Sequence, residues 1–399
     1  MDSMLTRNIR FLYIYTFVAQ LFFDRALWVI YLSDKGLSMS DVGIAEALMH
    51  LSVVLFEIPT GMIADMYGRK VSLFIGNVLS VGYGSFMLIS DSLSLFGLAL
   101  ATLGVAMTFQ SGAEEALAYD TLKEKGQEHQ YTRIFGNFTA LSLLSLSLAK
   151  LTGGWMAEIN WDFVYGGIIA SHLLALIPIL LLHEPKRELS IPEHKRITAQ
   201  WRSQFSTSLS IWKDAKIIHI PVIFFIMVIS SIVVLTFYGQ EYFTRLGLSA
   251  PIIGAIFTLE GLIGVIMAKV AHRIERKWTF FTIVHYGYAL YLSFFLLFII
   301  TPVWAIVLSF LVLSQLVTLF EPIFSHFIQQ HISSDIRSTF FSMISVAESF
   351  AIMILFPAFG VMIDTIGFVN GFFILFLLLT IVFISGQFTL RKSQKQSSV

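Results

Sequence analysis

The sequence predicts an all-α integral membrane protein: twelve transmembrane helices in two six-helix pseudo-symmetric bundles. Three observations carry this. The chain has 399 residues, 56% of them hydrophobic and only 13% charged, whereas a soluble chain carries about a quarter charged residues. Apolar runs of about 20 residues, long enough to cross a bilayer as helices, recur along its length. The loop after the first run is echoed by the loop after the seventh. The runs are continuous and aliphatic rather than alternating, which suits helices and not barrel strands.

The runs fall at 9–33, 41–64, 71–90, 95–119, 136–157, 161–183, 220–243, 250–271, 279–300, 303–328, 338–362 and 367–390. The first is preceded by Arg7 and Arg10 but is too long for a cleavable signal and has no small-residue cleavage site. Lys and Arg orient the set. With the N-terminus inside, the inner segments hold Arg69, Lys70, Lys123, Lys125, Arg133, the basic cluster of 186–216, Arg273, Arg276, Lys277, Arg337 and the basic C-terminal end. The outer loops hold only Lys35 and Arg245. That asymmetry predicts both termini on the inner, cytoplasmic side of the cell inner membrane. The stretch from Glu184 to Ile218 separates six runs from six, giving an N-terminal bundle over 1–183, a linker over 184–219 and a C-terminal bundle over 220–399. Basic residues spaced among Trp201, Phe205, Leu209 and Trp212 suit an amphipathic helix on the membrane face. A solvated linker is the other reading.

The two halves repeat. YLSDKGLSMSDVG from Tyr31 and YFTRLGLSAPIIG from Tyr242 share tyrosine, glycine, leucine, serine and glycine at one constant offset. The matched residues are Tyr31, Gly36, Leu37, Ser38 and Gly43 against Tyr242, Gly247, Leu248, Ser249 and Gly254. Parallel six-span repeats are the plan of one large class of secondary transporter. Composition narrows the rest. The formal net charge is zero, so no nucleic-acid partner is implied. There is no cysteine, which excludes disulfides, thiolate metal sites and cysteine nucleophiles.

Charge inside the runs is the functional signal. FFDRALW, from Phe22 to Trp28, sets Asp24 beside Arg25 in the first run. A charge at the centre of a membrane helix costs about 2.5–3.5 kcal/mol even on the lenient insertion scale. At 1.5 Å per residue, Asp24 lies about 15 Å from the outer end, near the midplane. Helical spacing aligns Tyr13, Phe17, Gln20, Asp24, Trp28 and Tyr31 on one side. That stripe suits a water-accessible cavity; an ion pair that fixes packing is the alternative. Arg25 points about 100° away and is expected to meet another acid.

The second run places Glu46, His50 and Glu57 on one side, with Glu57 near mid-depth and Glu46 close enough to the outer surface to be solvated. In the fourth run Gly104, Thr108, Ser111, Glu115 and Tyr119 share a face, and Glu114 points away from it. The tenth repeats the pattern with Ser314, Thr318, Glu321 and Ser325. Glu241, Glu260 and Glu348 add acids to the seventh, eighth and eleventh runs. Against these acids stand Arg25, Lys150 and Lys269, the last able to snorkel to the surface. A carboxylate without a partner in low dielectric takes up a proton. Surplus acids therefore suit the binding of protons, of a cationic substrate, or of each in turn. The candidates for proton coupling or substrate binding are Gln20, Asp24, Arg25, Trp28, Glu57, Glu115, Glu241, Glu260, Glu321 and Glu348. His172, His285 and His326 each stand alone without metal-ligand spacing and are expected to serve packing.

The loop after the second run reads GMIADMYGRK, in which Gly61, Asp65, Gly68, Arg69 and Lys70 fit G-x-x-x-D-x-x-G-R-K. The glycines let helix ends approach and turn. Asp65 can meet Arg69 or a helix N-terminus as a charged latch on an inner gate. A loop that only fixed topology would need neither. This motif, between spans two and three of a twelve-span repeat, resembles the signature of the major facilitator superfamily. A worn copy at Ala268–Lys277 keeps Arg276 and Lys277. SGAEEALAYDTLKE from Ser111, FGN from Phe135 and FEIPTG from Phe56 resemble a bacterial subgroup of drug or metabolite permeases. The fifth run, ALSLLSLSLAKLTGGWMAE, departs from the Gly-Pro motif of the family's efflux antiporters and offers only Gly153 and Gly154.

The resemblance implies a secondary active transporter working by alternating access. With the acid surplus, the expectation is proton-coupled export of a small amphipathic or cationic molecule. Proton-coupled uptake of a nutrient is the alternative, and a membrane-embedded enzyme a remote one, since no H-E-x-x-H, G-x-S-x-G or phosphate-binding glycine loop occurs. The expected partners are a small-molecule substrate, protons and the lipid bilayer. No cofactor or metal is expected, and one chain with both halves is expected to act as a monomer.

Overall fold

The computed structural model describes residues 3–185, 216–332 and 337–397, and all regular structure among them is helical. The proposed amphipathic helix around Trp201–Trp212 lies outside the described residues. The helices are α1 (Ser3–Ala19), α2 (Trp28–Asp34), α3 (Met39–Tyr67), α4 (Arg69–Ile89), α5 (Leu93–Gln110), α6 (Ala113–Glu124), α7 (Tyr131–Ile159) and α8 (Trp161–Leu181). After the linker come α9 (Lys216–Arg245), α10 (Ala250–Glu275), α11 (Phe280–Ile300), α12 (Val303–His331) and α13 (Arg337–Ser397).

Ten described stretches are helical, long and apolar enough to cross a membrane. The last of them, Met343–Gly386, holds two spans that meet at the non-helical Gly367. The first span is absent from the ten because it is split between α1 and α2. The twelve-span fold follows. Large apolar side chains point outward along the spans, with Trp304 72% and Ile354 71% exposed. In water such a surface would aggregate; in a bilayer it is the lipid-facing wall.

Two spans differ from the expected continuous helices. The first stops at Ala19 and restarts at Trp28. In the turn between them the Asp24 carbonyl accepts from the amides of Leu27 at 2.7 Å and Trp28 at 2.8 Å, which starts the new helix. The stripe from Tyr13 to Tyr31 is therefore not one helical face. The fourth span breaks at Ser111–Gly112, where Gly112 takes φ +65°, a left-handed conformation that side chains disfavour. Ser111 therefore lies in the break and Glu115 on α6, which begins only at Ala113.

The described residues of Met1–Glu193 and Phe243–Leu259 form one compact unit, and those of His194–Tyr242 and Glu260–Val399 the other. In the first, small residues let backbones touch. A Cβ on Gly153 of α7 would collide with the carbonyl of Phe23 in the turn. One on Gly254 would meet the Lys150 carbonyl at 2.5 Å. In the second, aromatic rings fill the core: Phe225 stacks on Phe324 at 3.9 Å and Phe280 on Phe327 at 3.7 Å. Such pairs add about 0.5–1.5 kcal/mol beyond the area they bury.

The sequence repeat reappears as repeated geometry. Gly36 and Gly247 both have φ +88°. The Gly36 amide bonds Ser33 at 2.9 Å and the Leu37 amide bonds Leu32 at 3.1 Å; Gly247 bonds Thr244 at 2.9 Å and Leu248 bonds Phe243 at 3.1 Å. Each is a Schellman cap, closed by the glycine that the turn requires. Ser38 then starts α3 with a capping box, its hydroxyl accepting from the Asp41 amide while the Asp41 carboxylate accepts from the Ser38 amide.

Candidate transport and gating site

The turn between α1 and α2 presents Asp24 to the interior of the first unit, where it is 1% exposed. The Tyr83 hydroxyl of α4 donates to its Oδ2, while its Oδ1 has no hydrogen bond. An unsatisfied buried acceptor costs about 1–3 kcal/mol, and more when charged. Arg25 is half-buried, its guanidinium 5.0 Å from the centre of the Phe22 ring. It interacts electrostatically with Asp24. The 100° separation of Asp24 and Arg25 assumed a continuous helix, and the chain turns here instead. Trp28 is buried at the start of α2, and Gln20, just past α1, is partly exposed with its carbonyl accepting from the Phe22 amide.

Around this carboxylate lie groups that the sequence did not connect to it. Tyr31 donates to the Met87 carbonyl at 2.9 Å, and Tyr165 of α8 is fully buried. His172 exchanges two hydrogen bonds with Asn77: the Asn77 amide nitrogen donates to the His172 carbonyl, and imidazole Nδ1 meets Asn77 Oδ1 at 2.9 Å. Since the Asn77 Nδ2 is the donor, Oδ1 accepts and the imidazole hydrogen sits on Nδ1. That half of the ring is satisfied by Asn77. Glu46, expected to be solvated, is instead 2% exposed. Its helix turns it inward, with its Oε1 3.6 Å from His50 Nε2.

The other acids of the first unit separate. Thr16 donates to Glu114, which is turned in toward α1. Glu115 is exposed on α6. Glu57 is exposed on α3 and accepts from Ser111 at 3.2 Å, at the break in the fourth span. In the second unit Glu241 is buried on α9, and Glu260 of α10 is partly buried with its carbonyl accepting from Gln315 at 3.0 Å. Glu321 is exposed, and it interacts electrostatically with the half-buried Glu348. Asp24 and these second-unit acids therefore do not make one cluster within either unit.

The GMIADMYGRK loop is built as a clamp. Asp65 and Arg69 form an ion pair at 2.8 Å. Gly68 has φ +110°, and its amide caps α3 on the Ala64 carbonyl. Glu184, just past α8, accepts from the amides of Arg69 at 2.9 Å and Lys70 at 2.8 Å. It thus caps the positive N-terminus of α4. Lys70 returns the favour by donating to the carbonyls of Leu180 and Leu182, both at 2.8 Å, at the negative end of α8. Asn8 of α1 ties in the same segment, donating to the His183 carbonyl at 2.9 Å and accepting from the His183 amide at 2.8 Å. Gly61 sits partly exposed in α3. By sequence Glu184 is only the start of the linker; a carboxylate directly before Pro185 at a span's end is the available signal.

The profile of the Major Facilitator Superfamily matches residues 11–355. The chain belongs to this superfamily of multi-pass membrane transporters, and it spans 62% and 40% of the lengths of the two curated relatives below. Among curated proteins it is 22% identical over 257 residues to the uncharacterized MFS-type transporter YxaM of Bacillus subtilis, a match covering 63% of this chain and 62% of that protein. It is 27% identical over 160 residues to the quinolone resistance protein NorA of Staphylococcus aureus, covering 40% of each. Of solved structures, the nucleoside transporter NupG aligns with a TM-score of 0.77 at 12% identity, covering 97% of this chain and 98% of that one. A D-xylose-proton symporter aligns at 0.70 and 17%, covering 96% of each. At these identities the structures share the fold.

Proposed function

We propose that this transporter exports a small amphipathic or cationic molecule in exchange for protons, by alternating access, as a monomer in the cell inner membrane with both termini cytoplasmic. The observation that carries the reading is Asp24, a carboxylate held 1% exposed in a break of the first span with one oxygen unsatisfied. A group so expensive to bury is kept for chemistry, and its chemistry is to gain and lose a proton. Export is favoured by the partial likeness to a quinolone resistance protein. Glu57, Glu115, Glu241, Glu260, Glu321 and Glu348 are the further carboxylates available to protons or a cationic cargo, and Gln20, Arg25 and Trp28 are the polar and aromatic candidates beside Asp24 in the chain. The loop residues Gly61, Asp65, Gly68, Arg69 and Lys70 form the gate latch, and the two sequence halves, 1–183 and 220–399 around the linker 184–219, are the moving bundles.

The second reading is proton-coupled uptake of a nutrient. It is favoured by the fifth span, where Gly153 and Gly154 stand without the proline of the efflux antiporters. Everted membrane vesicles acidified inside decide between the two. Addition of a lipophilic aromatic cation dissipates the proton gradient only if the protein is present and only if it exports. A gradient left intact across a panel of such cations, together with a nutrient requirement in a deletion strain, would establish uptake instead.

A further inference from the structure

Asp24 reaches no solvent in this arrangement, yet a proton carrier must be loaded. Among the described residues of the first unit five buried side-chain polar atoms make no hydrogen bond: Arg69 Nε in the gate loop, and Asp24 Oδ1, Glu46 Oε1, Tyr165 Oη and His172 Nε2. Roughly 90% of buried polar groups are hydrogen-bonded, so orphans concentrated about one carboxylate point to a group that they share by turns. Tyr83 links two of them. Its hydroxyl donates to Asp24, and it interacts electrostatically with Glu46. Glu46 in turn lies 3.6 Å from His50 Nε2, and the His50 side chain is 18% exposed. A partly exposed imidazole thus meets a buried carboxyl, and a buried phenol meets Asp24. Among the described residues, Arg25 from the turn and Tyr165 from α8 interact electrostatically with both Asp24 and Tyr83, while Tyr31 of α2 interacts with Tyr165 and His172 of α8 with Arg25. Helix α5, packed along α3, contains no ionisable group.

We propose that His50, Glu46 and Tyr83 form a proton relay that loads and unloads Asp24 through the first unit. The proposal rests on the reading of Asp24 as the proton carrier. In the loading direction the His50 imidazolium gives its Nε2 proton to Glu46 Oε1. The Glu46 carboxyl passes a proton to the Tyr83 oxygen, directly or across one water, as Tyr83 passes its own to Asp24 Oδ2. Neutral His50, the Glu46 carboxylate and the Tyr83 hydroxyl are restored, and one proton has moved from His50 to Asp24. The reverse sequence unloads it. Glu46 and His50 are positioning and transfer groups and touch no cargo.

The test needs no substrate. The full chain in lipid nanodiscs is subjected to a rapid pH jump, and the C=O stretch of protonated carboxyls is followed by time-resolved infrared spectroscopy. Asp24→Asn assigns the Asp24 band by removing it. The expected result is that Glu46→Gln and His50→Gln each slow the rise of that band by about tenfold or more, while Glu46→Asp recovers part of the rate. The Asp24 band itself, still reached at equilibrium, shows that the variants are folded. Wild-type rates in both glutamine variants would overturn the relay and leave Asp24 as carrier. No band lost in Asp24→Asn would overturn the carrier assignment, and the relay with it.

Discussion

Asp24 and Glu184 are both carboxylates on the first unit's framework, and they meet opposite fates. Asp24 is sealed with one oxygen unsatisfied; Glu184 accepts two backbone N–H groups and completes a helix end. On the proposed reading the first carries a proton, and the second closes a helix end. Asp24→Asn is expected to abolish pH-dependent transport in proteoliposomes while leaving membrane insertion and the amount of folded protein unchanged. Glu184→Ala is expected to lower stability by about 1–2 kcal/mol, the usual worth of a helix-end cap with a charge, read as a drop in the melting temperature of the purified protein. Only part of this was legible beforehand. A charge in an apolar run announces itself, so Asp24 stood out. Glu46 did not, because counting residues from a loop gives depth and not direction, and its helix turns it inward. Glu184 did not, because its partners are backbone amides more than a hundred positions away, which no local pattern reports.

The two broken spans carry the same lesson for helices. Hydropathy sees an unbroken apolar run over 9–33 and another over 95–119, since neither break contains a proline. The first break is fixed by tertiary partners: the Tyr83 hydroxyl on Asp24 and the close approach of Gly153 to the Phe23 carbonyl. Tertiary contacts of this kind override propensity, which is worth only tenths of a kcal/mol per residue. Gly153, unremarkable as a remnant of a missing Gly-Pro motif, thus has a structural task. Gly153→Ala is expected to force the turn away from α7. Its check is a loss of folded protein by size-exclusion chromatography, with Gly166→Ala, where an added Cβ meets nothing within 4 Å, as the tolerated control. At the second break the glycine itself was the signal. Gly112→Ala puts a side chain at φ +65° and should cost about 1–2 kcal/mol, weakening the Ser111–Glu57 hydrogen bond that depends on the bend.

For the molecule as a whole, span count, repeat and superfamily were readable because they rest on composition and on one compact motif. What the composition withheld is which acids share a neighbourhood, since that depends on how spans pack. The latch belongs to this scale. Asp65 is half exposed where it pairs with Arg69, and such a pair contributes about 0–1 kcal/mol to stability. Asp65→Ala is therefore expected to leave the melting temperature nearly unchanged and the apparent affinity for cargo intact, while lowering turnover in a transport assay. A large affinity loss at normal turnover would remove the gate assignment. The matched corners at Gly36 and Gly247 reach further back in time. Identical bends, closed by the same pattern of amides, are what a duplicated ancestral segment leaves behind once the rest has drifted. If so, a saturation scan of one corner should forecast the other: the ranking of tolerated replacements across Tyr31–Gly43 should carry over, position for position, to Tyr242–Gly254.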